Sequence, residues 1–254
     1  MNILRAQEFR FAALLGRDNL LVSCHGAQGV LVADKDRGVQ ESCIESDFSK
    51  PEGVAVSITG NIFVVDRFHH CVKVFDDTLT LKHALGGPGV LNQPVGVAFD
   101  DAEGEVYVAD NENHRIAVFA HHGAFLRAFG SAASLYCPCG VALFRTAKGA
   151  LYVIVAEWGS GRVQVFHDGQ SVLSVSGFPH AHHVVVSPEG DVYVALYSDK
   201  CVRRIQIREN DDGTPRFVID NARTQLEDSP CSLFWDDGRL GVVTRSRVLF
   251  VPSF

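Results

Sequence analysis

Pro51-Glu52-Gly53-Val54-Ala55-Val56 is a six-residue segment that the chain repeats at nearly constant intervals. It returns 43 residues later as Pro94-Val95-Gly96-Val97-Ala98-Phe99, and after 44 more as Pro138-Cys139-Gly140-Val141-Ala142-Leu143. A fourth copy, from Ala181, has lost the proline and the glycine, and a fifth begins at Pro230. A fixed period of this length indicates a repeat architecture in which each copy is one structural unit.

Each copy continues with the same series of short apolar segments. A turn with glycine leads into a run such as Gly104-Glu105-Val106-Tyr107-Val108-Ala109, and a polar loop then leads to Arg115-Ile116-Ala117-Val118-Phe119. A weaker fourth segment, Phe125-Leu126-Arg127-Ala128-Phe129, closes the unit. Short β-branched and aromatic segments bounded by Gly, Asn and Asp predict strands. Four strands in 43–44 residues predict one blade of a β-propeller.

The number of units predicts six blades. A degenerate first blade fits between Phe9 and Ile44, and the last unit, from Pro230 to Pro252, has room for three strands. We expect residues around Asn2 to Ala6 to supply the missing outer strand, because closing the ring removes exposed sheet edges. The sequence therefore predicts an all-β, six-bladed β-propeller of four-stranded antiparallel blades, closed by the N-terminal strand, that spans residues 1–254 as one domain.

Composition narrows the class of protein. The 254 residues carry a net charge of −7 without a basic run, which argues against broad contact with a nucleic-acid backbone. The first residues contain no apolar signal-peptide core, and no run approaches the length of a spanning helix, so we expect a cytoplasmic, monomeric domain without membrane contact. The seven cysteines include no CxxC pair and are expected to pack as reduced, small apolar side chains.

The stretch from Gly104 to Phe119 resembles the NHL repeat of TRIM-type NHL proteins and bacterial sensor propellers. The blade from Pro94 fits that repeat almost throughout, whereas Cys71 replaces its arginine in the Pro51 blade and Glu157 replaces its aspartate in the Pro138 blade. The resemblance implies a recognition surface for proteins, RNA or small ligands, with a few enzymes on related propellers. Fold analogy does not choose among these functions.

Propeller geometry predicts where a site would lie. The repeated segment opens the innermost strand at one face, and the loop between the second and third strands returns to that face, where loops carry most binding residues. The second residue of each copy should surround the mouth of the central channel: Arg10, Glu52, Val95, Cys139, His182 and Cys231.

Three large aromatic side chains in the second set of loops predict the binding surface. Phe68, Trp158 and Tyr197 occupy loops of different blades, and amphipathic aromatics commonly anchor interfaces. Asp66, Asp110 and Arg115 are assigned to structure, as loop caps and ties between blades. The predicted binding residues are Phe68, His69, Asn111, Asn113, Trp158, Tyr197, Glu52 and His182.

These residues predict recognition of a protein or peptide without a cofactor, and two alternatives stay open. The first is a metal-dependent lyase or hydrolase in the channel, since Cys139, His182 and Cys231 are possible zinc ligands. The related peptidyl-hydroxyglycine lyases hold zinc with histidines in P-H-x segments, and only His182 matches them in residue type. The second is RNA binding, although Arg67 is the main basic residue of the face loops. No G-x-S-x-G or phosphate-loop motif favours catalysis.

Overall fold

The chain folds into six antiparallel blades arranged in a ring. The computed structural model describes residues 8–26, 28–35, 40–44, 46–210 and 215–251. Within them, five sheets have four strands, the sixth has three, and a 3-10 turn at Asn111–Asn113 is the sole helical segment. The strands, in chain order by blade, are β1 (Phe9–Leu15), β2 (Asn19–Cys24), β3 (Gly29–Asp34) and β4 (Gln40–Ile44); β5 (Pro51–Val56), β6 (Ile62–Asp66), β7 (Cys71–Phe75) and β8 (Leu81–Gly86); β9 (Val97–Asp100), β10 (Glu105–Asp110), β11 (Arg115–Ala120) and β12 (Phe125–Phe129); β13 (Pro138–Arg145), β14 (Leu151–Glu157), β15 (Arg162–His167) and β16 (Gln170–Ser176); β17 (Ala181–Val186), β18 (Asp191–Leu196), β19 (Cys201–Glu209) and β20 (Pro215–Gln225); β21 (Pro230–Asp236), β22 (Arg239–Thr244) and β23 (Val248–Val251).

The first strand of each blade lies innermost and contacts the first strands of both neighbouring blades, so the six form a closed ring around a channel. The ring closes between blades 6 and 1, where Phe9 N–H donates to the Arg245 carbonyl at 3.1 Å. Phe9 is fully buried there in one apolar cluster with Phe234, Val243 and Val248 of blade 6. The predicted six-bladed β-propeller is therefore confirmed. The predicted closing strand near Asn2 to Ala6 lies outside the described residues.

The glycine of the repeated segment is required because the innermost strands approach each other closely. A Cβ atom on Gly53 would lie 2.5 Å from the Val95 carbonyl oxygen, and one on Gly140 would lie 2.7 Å from the His183 Cα. A Cβ atom on Gly96 would overlap the carbonyl of Cys139. Three blades thus leave this level of the channel free of side chains.

The other three blades carry Phe11, His183 and Ser232 at the glycine position. The Phe11 ring lies 5.5 Å from that of His182 and 5.0 Å from that of His183, across the ring in blade 5. Phe11 also shares a buried cluster with Val95 of blade 3 and Cys139 of blade 4. A side chain that reaches blades 3, 4 and 5 from blade 1 lies on the axis, so Phe11 closes the channel at this level.

Buried carboxylates at the ends of the second strands hold the loops, as predicted for Asp66 and Asp110. Asp110 accepts the Asn92 N–H at 2.7 Å and the Arg115 Nε–H at 2.8 Å, and Arg115 also donates to the Val90 carbonyl in the connection from the preceding blade. Glu157 has the same role, with Arg162 Nε at 2.6 Å. Where Cys71 replaces the arginine, Lys73 Nζ and His69 Nδ1 lie 2.9 and 2.8 Å from Asp66.

None of the seven cysteines forms a disulfide, and Cys24, Cys71 and Cys201 are buried within strands as small apolar side chains. Within the described ranges, no helix is long and apolar enough to cross a membrane.

Candidate functional site

A cavity of about 440 Å³ lies at the channel mouth, on the face where the innermost strands begin. Two rings of side chains build it. The first ring is the second residue of each repeated segment, and five of these residues line the cavity: Arg10, Glu52, Val95, Cys139 and His182. The prediction from propeller geometry is correct at these five positions. Cys231 is fully buried and does not line the cavity; its carbonyl instead accepts a hydrogen bond from His182 Nδ1 at 2.6 Å.

The second ring is the residue that directly follows the second strand of each blade. Its cavity-lining members are Arg67, Asn111, Trp158, Tyr197 and Arg245. The equivalent residue of blade 1 is His25, which contacts Glu52. Phe68 was predicted to stand beside Trp158 and Tyr197, but it lies one residue further along its loop. That offset of one residue turns it away from the cavity, and it is exposed beneath Lys50 Nζ, 4.9 Å from its ring.

The remaining predicted binding residues divide between the cavity and the loops. Glu52, Asn111, Trp158, Tyr197 and His182 all line the cavity. His69 and Asn113 do not, because each binds the structural carboxylate of its own blade: His69 contacts Asp66, and Asn113 donates to Asp110 at 2.9 Å.

Glu52 is a buried carboxylate that lines this cavity, and one of its oxygens is unsatisfied. Arg10 Nε–H donates to His25 Nδ1 at 3.0 Å, and His25 Nε2 lies 3.2 Å from Glu52 Oε1, a short contact that is poorly aligned for a hydrogen bond. Arg67 Nη1 lies 3.5 Å from the same oxygen. Glu52 Oε2 has no hydrogen-bond partner among the described residues. Burial alone would raise the pKa of Glu52, but the opposing effect of His25, His182 and Arg10 together is larger. The pKa therefore lies below its ordinary value, and the carboxyl group is ionised at neutral pH.

The cavity is electropositive although the whole chain is acidic. Four cationic side chains line it, against two carboxylates, Glu52 and Glu112; the cations are Arg10, Lys50, Arg67 and Arg245. In the part of the chain that the structure describes, Arg10, Lys50 and Arg245 pair with no carboxylate, and the Arg245 guanidinium lies 5.4 Å from the Tyr197 ring centre. Burial and the neighbouring Arg67 lower the pKa of Lys50. A concave site with an excess of one charge concentrates ligands of the opposite charge.

An aromatic wall forms one side of the cavity. The ring of Trp158 lies 5.6 Å from that of Tyr197, 5.7 Å from His182 and 4.7 Å from His180. Both aromatics are half-buried, so their rings are rigidly held and still partly open to a ligand. His180 and His182 therefore both lie against Trp158, whereas His183 lines a separate apolar pocket at the opposite end of the channel.

The structure does not assemble the suggested zinc ligands. His182 uses Nδ1 on the Cys231 carbonyl, Cys231 Sγ faces the Ser229 carbonyl at 3.9 Å, and Cys139 Sγ lies 3.6 Å from Asn111 Nδ2. No three His, Cys, Asp or Glu side chains come together as a metal site within the residues that the structure describes. Burial lowers the pKa of His182 and raises that of Cys139 to about 12, so the imidazole and the thiol are both neutral.

Sequence reasoning missed three residues that line the cavity: Lys50, Cys137 and Arg245. Lys50 and Cys137 directly precede the prolines of their segments and have φ of 69° and 50°. Gln93, before Pro94, has φ of 47°, so this left-handed position recurs at the start of each NHL-like blade. The regular spacing of this position, directly before each proline, was the signal in the sequence that could have identified Lys50 and Cys137. Arg245 was missed because the last blade matches the repeat poorly.

The comparisons with known proteins agree on the fold. The NHL repeat matches residues 48–75 and 91–119. No curated protein matches the sequence significantly. The structure is similar to a gluconolactonase from Xanthomonas campestris, with a TM-score of 0.73, 16% identity and 99% and 88% of the two chains covered. It is also similar to a catalytically inactive virginiamycin B lyase from Staphylococcus aureus, with a TM-score of 0.68, 11% identity and 94% and 78% coverage.

A chain from a nidogen/laminin complex is a further structural neighbour, with a TM-score of 0.65, 16% identity and coverage of 85% of this chain and 81% of that one. Enzymes and a protein complex thus share this architecture at identities that are informative about the fold alone. The residues of the cavity have to distinguish among these functions.

Proposed function

We propose that this NHL-repeat six-bladed β-propeller is a recognition module that binds a segment of a protein or peptide partner in the cavity at its channel mouth. One observation carries the proposal: two rings of loop residues converge on a single blind cavity that has a cationic rim and an aromatic wall. Binding sites are typically preformed concavities in which a small number of polar groups converge beside aromatic surface.

Trp158 is the expected anchor of this site. It contacts Tyr197 and His182, packs against the cluster of Phe11, Val95 and Cys139, and remains partly exposed toward the cavity. A large ring that is fixed before binding loses little conformational entropy on association. Such residues dominate the energetics of interfaces, whereas their neighbours mainly exclude water.

The test is selection of a random peptide library on the immobilised protein. We expect Trp158→Ala to weaken the selected peptides by about 30-fold, the loss typical of a central aromatic anchor, while the protein stays folded by circular dichroism. Phe125→Ala is the matched control, because Phe125 is an exposed aromatic on an outer strand, and it should bind like wild type. Equal binding by Trp158→Ala, or selection of no peptide, would remove the proposal. Displacement of the peptides by single-stranded RNA would favour RNA instead.

Acid–base catalysis is a second candidate, favoured by one observation. Glu52 is an ionised, buried carboxylate with a free oxygen in a cleft, and perturbed groups of this kind cluster at catalytic sites. The name of one structural neighbour, a gluconolactonase, makes lactones the reasonable first substrates. Turnover that is abolished in Glu52→Gln and retained in Phe125→Ala would support catalysis. Its absence across such a panel leaves binding as the better account.

A further inference from the structure

We infer that the cavity recognises the carboxyl terminus of a partner chain, with the terminal carboxylate on Arg10, Lys50 and Arg245 and the terminal peptide N–H on Glu52. This inference rests on the proposed function and specifies its ligand. Three independent features of the site lead to it: a closed floor, unpaired cations and an unsatisfied buried acceptor.

The floor determines how a chain can enter. Phe11 lies on the channel axis below the cavity, 1% exposed, and its ring contacts those of His182 and His183 across the ring. The apolar pocket at the opposite end of the channel begins below this level and shares no lining residue with the upper cavity. A blind cavity admits the end of a chain or a side chain, but not a chain that passes through.

Three cations without an ion-pair partner favour an anionic ligand. Arg10, Lys50 and Arg245 come from three blades and line one cavity, and none of them lies within ion-pair distance of a carboxylate among the described residues. Charge-assisted hydrogen bonds from such groups to a carboxylate are about twice as strong as neutral ones. A neutral chain end would leave these charges desolvated without compensation.

The unpartnered oxygen of Glu52 favours a chain terminus over an acidic side chain as the ligand. Both contacts of Glu52, from His25 and Arg67, fall on Oε1, whereas Oε2 is buried without a partner. A buried acceptor without a donor is costly, and a ligand donor would remove that cost. A terminal residue carries its carboxylate and an amide N–H on the same carbon, whereas an aspartate or glutamate side chain presents the anion alone. The aromatic wall then contacts the terminal side chain.

The experiment measures binding of matched peptides, selected from a library with free carboxyl ends, in three chemical forms. One form ends in a carboxylate and one in a primary amide, and in the third an ester oxygen replaces the last peptide N–H. We expect the amide and the ester each to bind at least about tenfold more weakly than the carboxylate, the factor that corresponds to one charge-assisted hydrogen bond.

Substitutions test which residues make the two contacts, one with the terminal carboxylate and one with the terminal peptide N–H. Lys50→Met and Arg245→Met should each weaken the carboxylate form and leave the amide form unchanged. Lys82→Met removes an exposed lysine of the outer strand β8 and should change neither. Glu52→Ala should bind the peptide and ester forms with equal affinity. Circular dichroism shows whether Glu52→Ala is folded. If it is unfolded, Glu52→Gln, which keeps the shape of the side chain, provides the same comparison.

The outcomes separate the inference from the proposed function. If amide and carboxylate forms bind equally, or cyclic peptides without ends are selected as readily, the cavity binds peptides but does not recognise their termini, and the inference is overturned. If no peptide of any form binds, both fail. If the carboxylate is preferred but the ester binds as well as the peptide, the assignment of Glu52 is wrong.

Discussion

At the scale of single residues, the positions that depart from the repeat determine the chemistry of the channel. At the channel level where three blades have glycine, two other blades place the side chains of Phe11 and His183. Phe11 separates the charged cavity at the channel mouth from the apolar pocket at the opposite end. His183 Nδ1 accepts the Leu233 N–H at 3.1 Å, which requires a neutral imidazole with its proton on Nε2. Burial and the neighbouring His182 lower the pKa of His183 to about 3.

This shift predicts a loss of stability in acid. The unfolded state takes up the proton on His183 below about pH 6.5, whereas the folded state resists it down to about pH 3, so stability is complete above that window and falls as the pH drops through it. At about pH 4.5 the loss is roughly 2–3 kcal/mol, by 1.4 kcal/mol for each pH unit. We expect urea denaturation from pH 7.5 to 4.5 to show this decline.

His183→Asn is the matched variant, since its side-chain oxygen can still accept the Leu233 N–H but does not titrate. Its free energy of unfolding should be lower than that of wild type at pH 7.5 and should decline less steeply in acid. His182 is present in both proteins, so the difference between the two curves reports the acid sensitivity that depends on His183. Parallel curves for the two proteins would show that His183 is not the source of the acid sensitivity.

At the scale of strands, the repeated glycine sets how tightly the blades pack. Gly53 N–H donates to the Val95 carbonyl at 2.8 Å, directly between the innermost strands of two blades, and no Cβ fits at that approach. Gly96 has the closest such approach of these three glycines, to the carbonyl of Cys139. Its neighbour is backbone and cannot move aside as a flexible side chain would.

Gly96→Ala should therefore force two innermost strands apart. We expect a loss of about 3 kcal/mol in the free energy of unfolding, the upper end of ordinary overpacking costs, measured by chemical denaturation. Gly149→Ala is the control: Gly149 lies in an exposed turn with open space around it, and its φ of 88° alone should cost about 1 kcal/mol. A loss in Gly96→Ala no larger than that in Gly149→Ala would mean that the close approach of the strands does not explain the glycine.

The strands also show how far sequence patterns reach. Spacing between the Pro-x-Gly segments was sufficient to predict the blades and to place Arg10, Glu52, Val95, Cys139 and His182 around the channel, because the segment recurs at the start of the innermost strand of each blade. The loops after the second strands carry no repeated residue type that marks the position facing the cavity. An offset of one residue there separated Phe68 from Trp158, although both are aromatic residues in equivalent loops.

The arrangement of charges in the cavity was beyond the reach of sequence patterns for a different reason. Lys50, Arg67 and Arg245 are about 17 to nearly 200 residues apart, and each alone is an ordinary basic residue in a loop. Closure of the ring brings them together, and the burial that shifts the pKa values of Glu52 and Lys50 exists only in the folded state. Net charge was uninformative about the cavity for the same reason, since an acidic chain encloses a cationic cavity.

At the scale of the whole molecule, the ring closes at one seam, between blades 6 and 1. In the described residues these two blades meet through packing, through the hydrogen bond from Phe9 N–H to the Arg245 carbonyl, and through the ion pair of Lys35 Nζ with Asp236 Oδ1 at 2.8 Å. Arg10 and Arg245 line the cavity from the two sides of this seam. The cationic rim therefore depends on closure of the ring.

Phe9→Ala should open that seam selectively. Phe9 is fully buried between blades 1 and 6, so truncation should cost about 3–5 kcal/mol. Because the described residues join these two blades by packing and polar contacts alone, the blades should separate in a sub-global opening. Hydrogen exchange measured by mass spectrometry should show faster exchange in β1 and in β21 to β23. Phe119→Ala is the matched control, because Phe119 is equally buried between blades 2 and 3, which the chain joins directly. It should cost a similar free energy and leave exchange at the seam unchanged. If both variants speed exchange uniformly around the ring, the propeller opens as one cooperative unit and the seam is not its weakest contact.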